Sequence, residues 1–290
     1  MYDYFSKNLS KYIIENSKRY LIYLVPGKKL VEKFDWYGEK RAEAFNRLKQ
    51  KPLKSDIENR DLFFSHMIIW EKEKKDLAGG QRFLFSKQGS IRNKEHSYLE
   101  SYHPGTYEKM RNENFCEIGR TFVMPNYQNK RILKELIRGF VRIPEKKNMN
   151  IGFGLISFNH LSLNHDCINA FLSILKSSNK FPLNLPNGKY LFEYQTDYDN
   201  AYKNLTLDIK NLKYIEEELQ KIDYKFKMPQ VLKPYLNYCG VSYENYSIAK
   251  DYNGIIQLLF SGKSKNISEN QRKYLKDYNS LNKNLFYEDE

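Results

Sequence analysis

Cysteine is scarce: Cys116, Cys167 and Cys239 are the only three in 290 residues, an odd number at wide spacing with no CxxC pair. That argues against a disulfide framework or a zinc site and fits a reducing compartment. Long apolar runs are also missing. The longest uncharged stretches, residues 20–26 and 255–260, fall far short of the roughly 20 residues a membrane-spanning helix needs. The N-terminus is charged throughout and lacks a continuous apolar core, so a cytoplasmic protein without a secretory signal is expected. Acidic charge is in deficit, with 35 Asp and Glu against 48 Lys and Arg, a net +13 and a pI near 9.3. The imbalance points to an anionic partner, whether nucleic acid, an anionic membrane face or an acidic protein, or else to a lysine-rich solvated surface.

What is present is a globular composition, 41% hydrophobic, with extended and helical segments alternating and no internal repeat. Strands are expected over residues 19–25, 62–70, 77–85, 115–124, 151–158, 190–194 and 254–260. Residues 71–76 form a charged turn that closes a hairpin. Helices are expected over 28–49, ended by Pro52, over 127–142, stopped by Pro144, and over 163–176, 214–221 and 229–238. The run IGFGLISF at 151–158 has the continuous apolar character of a strand covered on both faces. The fold class is α/β (α+β).

The most informative segment is FCEIGRTFVMPNYQNKRILKELIRGF, residues 115–140, which joins a strand, a tight junction and a helix with a basic first turn. A helix N-terminus offers unpaired N–H groups and partial positive charge, so this is a strand-to-helix anion site in outline. Lys130, Lys134, Arg138 and Arg142 recur every four residues on one helix face, opposite Ile132, Leu136, Ile137 and Phe140. Such a stripe suits an acidic protein, or is simply solvated.

EIGRTFVMPNY, residues 117–127, resembles the E-[IL]-[GS]-R-x-x-V-x-P-x-[YF] signature of the GNAT-type N-acyltransferases that make ornithine and glycine lipids, which are similar to acyl-homoserine-lactone and N-acyl-amino-acid synthases. RAEAF at 41–45, the stretch from RDLFFSHMIIWE to GGQRF at 60–83, GFGLISFN at 152–159 and MPQVLKPYLNYCGV at 228–241 follow in the order those families carry similar blocks. The resemblance covers residues 38–260. It implies a GNAT-like fold, a mixed twisted sheet flanked by helices with a strand splay at the active site. It also implies transfer of a 3-hydroxy fatty acyl group from acyl carrier protein to the amine of glycine or ornithine. No cofactor is held permanently; the phosphopantetheine thioester of the carrier protein is a co-substrate. The corresponding organisation is an N-terminal amphipathic helix over 1–18, the N-acyltransferase domain over 19–261 and a polar tail over 262–290.

The resemblance gives roles to particular residues. A strand bulge, suggested by Gly119, would turn Glu117 and Arg120 toward one side and free a main-chain N–H near Phe122 or Val123 for the thioester oxyanion. Glu117 is either the general base for the amine or an ion-pair scaffold with Arg120 or Arg82. Arg82 and Arg120 can instead clasp the acceptor's carboxylate. His66 supports the acceptor site or is a core residue, and Asn159 is placed beside the substrate.

The sequence departs from CoA-dependent relatives at residues 128–133, QNKRIL, where no glycine lets the backbone approach a pyrophosphate. A single phosphopantetheine phosphate can still be met by Lys130 and Arg131, with Lys134 and Arg138 facing the carrier protein. His160 and Asp166 are separated by five residues rather than the four of glycerolipid acyltransferases, which argues against that mechanism. The N-terminal Tyr4, Phe5, Leu9, Tyr12, Ile13 and Ile14 either lie in an anionic membrane interface or pack on the domain. Two other readings stay open: a signal synthase of the acyl-homoserine-lactone or N-acyl-tyrosine kind, and a non-enzymatic module binding nucleic acid or membrane. No zinc or RNP-like motif supports nucleic acid as the partner.

Overall fold

Two adjacent strands that run the same way need a crossover, and the amphipathic segment after residue 128 supplies it. In the computed structural model, which describes residues 2–46, 52–128, 130–178, 183–250 and 253–278, eight strands form one mixed sheet. They are β1 (Ile13–Asn16), β2 (Tyr20–Pro26), β3 (Ser65–Glu71), β4 (Asp76–Ser86), β5 (Phe115–Val123), β6 (Ile151–Phe158), β7 (Val241–Ala249) and β8 (Ile255–Lys263). Their order is β1-β2-β3-β4-β5-β6-β8-β7. All neighbours are antiparallel except β5 and β6.

The Lys130–Lys146 helix joins those two strands and buries Ile132, Leu136, Ile137, Phe140 and Val141 against one face of the sheet. Gly139 lets it come close: a Cβ there would crowd the Met67 sulfur and the Gln81 amide. The opposite face of β5, β6 and β8 is covered by the short helices Tyr98–Tyr102 and Thr106–Lys109, with Leu99, Tyr107, Phe115, Phe153 and Leu259 in one cluster. Cys116, Cys167 and Cys239 are buried and free. No helix among the described residues is long and apolar enough to cross a membrane.

Several elements differ from expectation, each for a traceable reason. Residues 1–18 are not one amphipathic helix: Tyr2–Asn8 is helical, and β1 then pairs with β2. Phe5, Leu9, Tyr12 and Ile14 are buried, and the Phe5 ring stacks on Trp70 at 4.8 Å. These side chains are therefore core, not a membrane-facing surface. The 28–49 helix is divided into Gly27–Leu30, a 3₁₀ turn Val31–Lys33 and Phe34–Phe45, with residues 47–51 outside the described ones. Pro144 does not stop the crossover helix. It sits in the last turn, where one lost N–H bond is tolerated and the chain runs on to Lys146.

Residues 190–194 are loop rather than strand, while the edge strand β7 escapes notice because Glu244 and Asn245 interrupt its alternation at a bulge. β8 continues past the expected boundary at 261 to Lys263, and the described part of the polar tail, residues 264–278, is anchored on the domain, with Leu275 and Tyr278 buried.

Gly27 closes β2 against the turn that carries Asp61. Its N–H donates to the Phe64 carbonyl at 2.8 Å, and a Cβ would collide with the Asp61 carbonyl oxygen and approach the Leu62 carbonyl at 2.9 Å. Because both neighbours are backbone, Gly27→Ala is expected to cost about 1–3 kcal/mol of stability. An unchanged urea midpoint would show that this close approach does not constrain the fold.

Candidate functional site

Parallel pairing between β5 and β6 spans only Phe115–Ile118 against Ile151–Gly154. Beyond Ile118 the two strands separate, although β6 stays paired with β8 along its whole length. The break coincides with a bulge in β5. Arg82 of β4 faces Gly119 and Gly80 faces Phe122, so Arg120 and Thr121 share the place opposite Gln81. The expected bulge is therefore present, but its left-handed residue is Arg120, at φ 49, and not Gly119. A Cβ on Gly119 would meet nothing within 4 Å, so glycine is not required there by space.

The divergence opens a cavity of about 410 Å³. Phe140 and Tyr235, with ring centroids 5.0 Å apart, line it together with Val231 and Ile156, while Leu99, Phe153 and Leu155 line the wall toward the helices at 98–109. Glu117, Tyr98, Gln257, Arg82, Arg120 and Thr121 supply the polar groups. Apolar walls with a few converging polar side chains are what a ligand cavity of this size usually presents.

Glu117 is not tied to Arg120 or Arg82 in the expected ion pair. Its carboxylate accepts from the Ser97 hydroxyl at 2.6 Å and from the Tyr98 N–H at 3.1 Å, so it sits at the start of the Tyr98–Tyr102 helix. Ser97 itself caps that helix, accepting from the Glu100 N–H at 2.8 Å. Burial pushes the Glu117 carboxyl above the usual carboxylate range, against the opposing pull of the Ser97 bond and the Arg82 charge.

The arginines belong to a separate, buried ion cluster. Asp61 accepts from Arg41 at 2.8 and 2.9 Å and from Arg82 at 2.7 Å, and Arg41 also donates to Asp56 at 2.8 Å. Arg120 pairs with Glu58 and lies 3.5 Å from Asp56. Burial alone would raise the Asp61 carboxyl, but Arg82 and Arg41 outweigh it and hold the group far below the usual range. Both guanidinium forks expected to clasp a substrate carboxylate are thus engaged by internal acids. The Nε of Arg82 is buried and makes no hydrogen bond among the described residues.

His66 belongs to the core and not to the cavity lining. It is fully buried, with Nε2 2.9 Å from the Asp61 carbonyl oxygen and its ring edge-on to Tyr37, and burial lowers its pKa to about 4. Asn159 is exposed just past the end of β6 and outside the cavity lining. Phe122 is buried, its ring lying where a Cβ on Gly80 would come within about 3.1 Å. The Met124 N–H donates to the Ala78 carbonyl at 3.0 Å. Alternation along the strand then keeps the Phe122 N–H in the β4 ladder and aims that of Val123 toward the open edge facing β6.

The second half of the basic stripe, Arg138 and Arg142, is engaged internally and not open for docking. Arg138 is 9% exposed, bound by Glu135 at 3.1 Å, by Glu15 at 3.2 Å and by the carbonyls of Lys276 and Asp277, with its guanidinium 4.1 Å from the Tyr278 ring. Arg142 donates to Glu145 and to the Arg272 carbonyl. The C-terminal segment lies over this face. Lys134, exposed, sits 3.9 Å from the Tyr274 ring, and Arg131 lies over the Tyr20 ring. Asn129 and the Lys130 side chain lie outside the described residues. His160 accepts from the Ile256 N–H and Asp166 from the Tyr198 hydroxyl, so the two are not a pair.

Ser97, Tyr98, Thr121, Tyr235 and Gln257 were not singled out from sequence. Two had readable signals: SYLE at 97–100 is a capping-box pattern, and Gln257 is the one polar residue in the run IIQLLF. Gln257 donates to the Tyr98 hydroxyl at 3.2 Å.

Residues 40–138 match the model of the acetyltransferase (GNAT) domain family, a span that includes Arg41, Asp61, Arg82, Glu117 and Arg120. Over that span, about a third of the chain, the sequence is similar to a GNAT acetyltransferase domain. No curated protein matches it. Among solved structures it is similar to the CoA-dependent acyl-homoserine lactone synthase BjaI with SAM and isopentyl-CoA, at 8% identity and a TM-score of 0.42 over 90% of this chain and 94% of that one. It is also similar to the CoA-dependent acyl-homoserine lactone synthase MesI, at 10% identity and 0.41 over 88% and 92%. A GNAT-family acetyltransferase from Bacillus anthracis aligns at 10% identity and 0.33 over 87% and 98%.

The two buried histidines set a pH dependence. Burial lowers both His66 and His103 to about 4. Between pH 6.5 and 4 the unfolded chain therefore binds protons that the native state refuses, so stability falls as pH falls through that window. The loss is roughly 2 kcal/mol per histidine between pH 6.5 and pH 5. His66→Gln should remove about half of this slope in urea unfolding at pH 7, 6 and 5, and a slope equal to the parent's would refute the assignment.

Proposed function

We propose that this GNAT acyltransferase moves a fatty acyl group, of the 3-hydroxyacyl class, from the phosphopantetheine thioester of an acyl carrier protein to the amine of an amino acid, glycine or ornithine. The observation that carries the reading is the break in β5–β6 pairing at Ile118 and Gly154, which opens an apolar cavity onto the buried carboxylate of Glu117.

In this reading the acyl chain lies along Phe140, Ile156 and Val231. The thioester carbonyl accepts from the Val123 N–H, which stabilises the oxyanion as the amine nitrogen attacks the carbonyl carbon. Glu117, its affinity for protons raised by burial, takes the proton from the attacking amine, and the C–S bond breaks. Tyr235, whose phenol burial holds protonated, is placed to return a proton to the departing thiolate. The Nε of Arg82 is the donor left for the acceptor's carboxylate. A carrier protein is favoured over CoA by the missing glycines of residues 128–133, since a pyrophosphate needs close backbone approach and a single phosphate does not. The covered stripe removes Arg138 from the donor's docking surface.

The test is product formation by mass spectrometry, with 3-hydroxyacyl carrier protein and 3-hydroxyacyl-CoA supplied separately and glycine, ornithine, the other amino acids and S-adenosylmethionine as acceptors. N-acylglycine or N-acylornithine formed faster from the carrier protein supports the reading. A lactone made only with S-adenosylmethionine, or no acylated product from either donor, refutes it.

Glu117→Gln should lower kcat by about 10²–10⁴ and abolish the rising limb of the pH–rate profile, with KM for the donor little changed. A retained rising limb would sink the base assignment.

A further inference from the structure

At the opposite end of the sheet from the splay, where β2 and β4 end and β5 and β6 begin, lies a larger cleft of about 910 Å³ that shares no lining residue with the cavity described above. Six cations border it: Lys11 before β1, Lys28 and Lys29 after β2, Lys87 and Arg92 after β4, and Lys147 after the crossover helix. Among the described residues the lining contains a single carboxylate, Glu95, which lies 3.3 Å from His96. Segments far apart in sequence thus deliver charge of one sign to the walls of one concavity. Such a cleft focuses its field on the space between the walls.

The cleft is also partly apolar and held from behind. Leu62, Phe63, Phe85 and Met149 contribute to its lining, and the Phe63 and His96 rings stack at 3.3 Å. The turn bearing Leu62 and Phe63 is pinned through Asp61 to Arg41 and Arg82. The turn bearing Glu95 and His96 runs directly into Ser97, which holds Glu117. These pinned turns fix the apolar and aromatic part of the wall, so that part costs a ligand little ordering.

We propose that this cleft binds a soluble organic polyphosphate, an anion with two or more phosphate groups on an apolar or aromatic body. Concavity favours a small molecule over a flat bilayer, which would reach only the rim. Cations on facing walls favour several negative charges over one. The apolar and aromatic lining gives the body of the ligand a surface to cover. The site is independent of the acyl-transfer reading and is tested without turnover.

Calorimetric titration of the full chain with ATP at low ionic strength should give one site, with a Kd on the order of micromolar that weakens as salt is added. The double variant Lys28→Glu/Lys29→Glu and the single variant Arg92→Glu should each weaken binding by about tenfold or more, with thermal unfolding unchanged. Arg131→Glu, at the far end of the sheet, should leave it within about twofold. Inorganic tripolyphosphate should bind more weakly than ATP, for lack of an apolar body. Absence of binding at millimolar ATP, loss of binding in Arg131→Glu in place of the cleft variants, or capture on phosphoinositide vesicles that ATP does not compete away would each overturn the proposal.

Discussion

The site depends on one residue being held in a conformation it would not choose. Arg120 sits at φ 49, a region that costs an L-residue on the order of 1–2 kcal/mol. Its guanidinium is held by Glu58 and lies beside Asp56, and both acids belong to the cluster organised by Arg41 and Asp61. With Arg120 fixed there, β5 carries one residue too many for β4 and swings away from β6. The opening between those strands follows from that.

This arrangement explains why so much charge is buried next to an apolar cavity. Removing one member of a buried ion cluster leaves its partners uncompensated, typically at a cost of about 3–5 kcal/mol, so the cluster resists rearrangement more than it adds stability. Asp61 lies at its centre, accepting from two arginines while its backbone carbonyl faces His66 and abuts Gly27. The 52–64 segment is thereby locked against β4 and β5. Glu117 stands outside the cluster, bonded to neutral donors that include the Ser97 hydroxyl and the Tyr98 N–H. Its affinity for protons is raised by burial and not depressed by an ion pair.

Legibility in the sequence followed the range of the interactions involved. The crossover helix, β5, β6 and the β3–β4 hairpin were readable because each is specified within its own segment, by a 3.6-residue period, a two-residue period or a continuous apolar run. Glu117 and Arg120 were found through a local motif, and even the bulge was anticipated, although glycine was assigned the strained position that Arg120 occupies. What failed to show was long-range. Nothing near Arg138 announces that Glu15 and the carbonyls of Lys276 and Asp277 will cover it, because those partners lie more than a hundred residues away in the chain. The N-terminal apolar residues likewise leave a membrane interface and packing on the domain both open in the sequence, and the fold, where Trp70 and Tyr23 receive Phe5, decides for packing.

The same distinction bears on the meaning of the +13 net charge. Read along the chain, the densest regular array of cations is the helical stripe, which invites an anionic partner. In the fold, part of that array is neutralised internally: Arg138 and Arg142 meet carboxylates and backbone carbonyls, and the helix face becomes a joint between the body of the domain and residues 272–277. The cations that do converge on an open concavity come from segments no periodicity connects, at residues 11, 28, 29, 87, 92 and 147. A charge pattern in sequence reports a helix face; only the topology of the sheet, which brings the ends of β2 and β4 beside the start of β6, decides which cations from distant segments border one concavity.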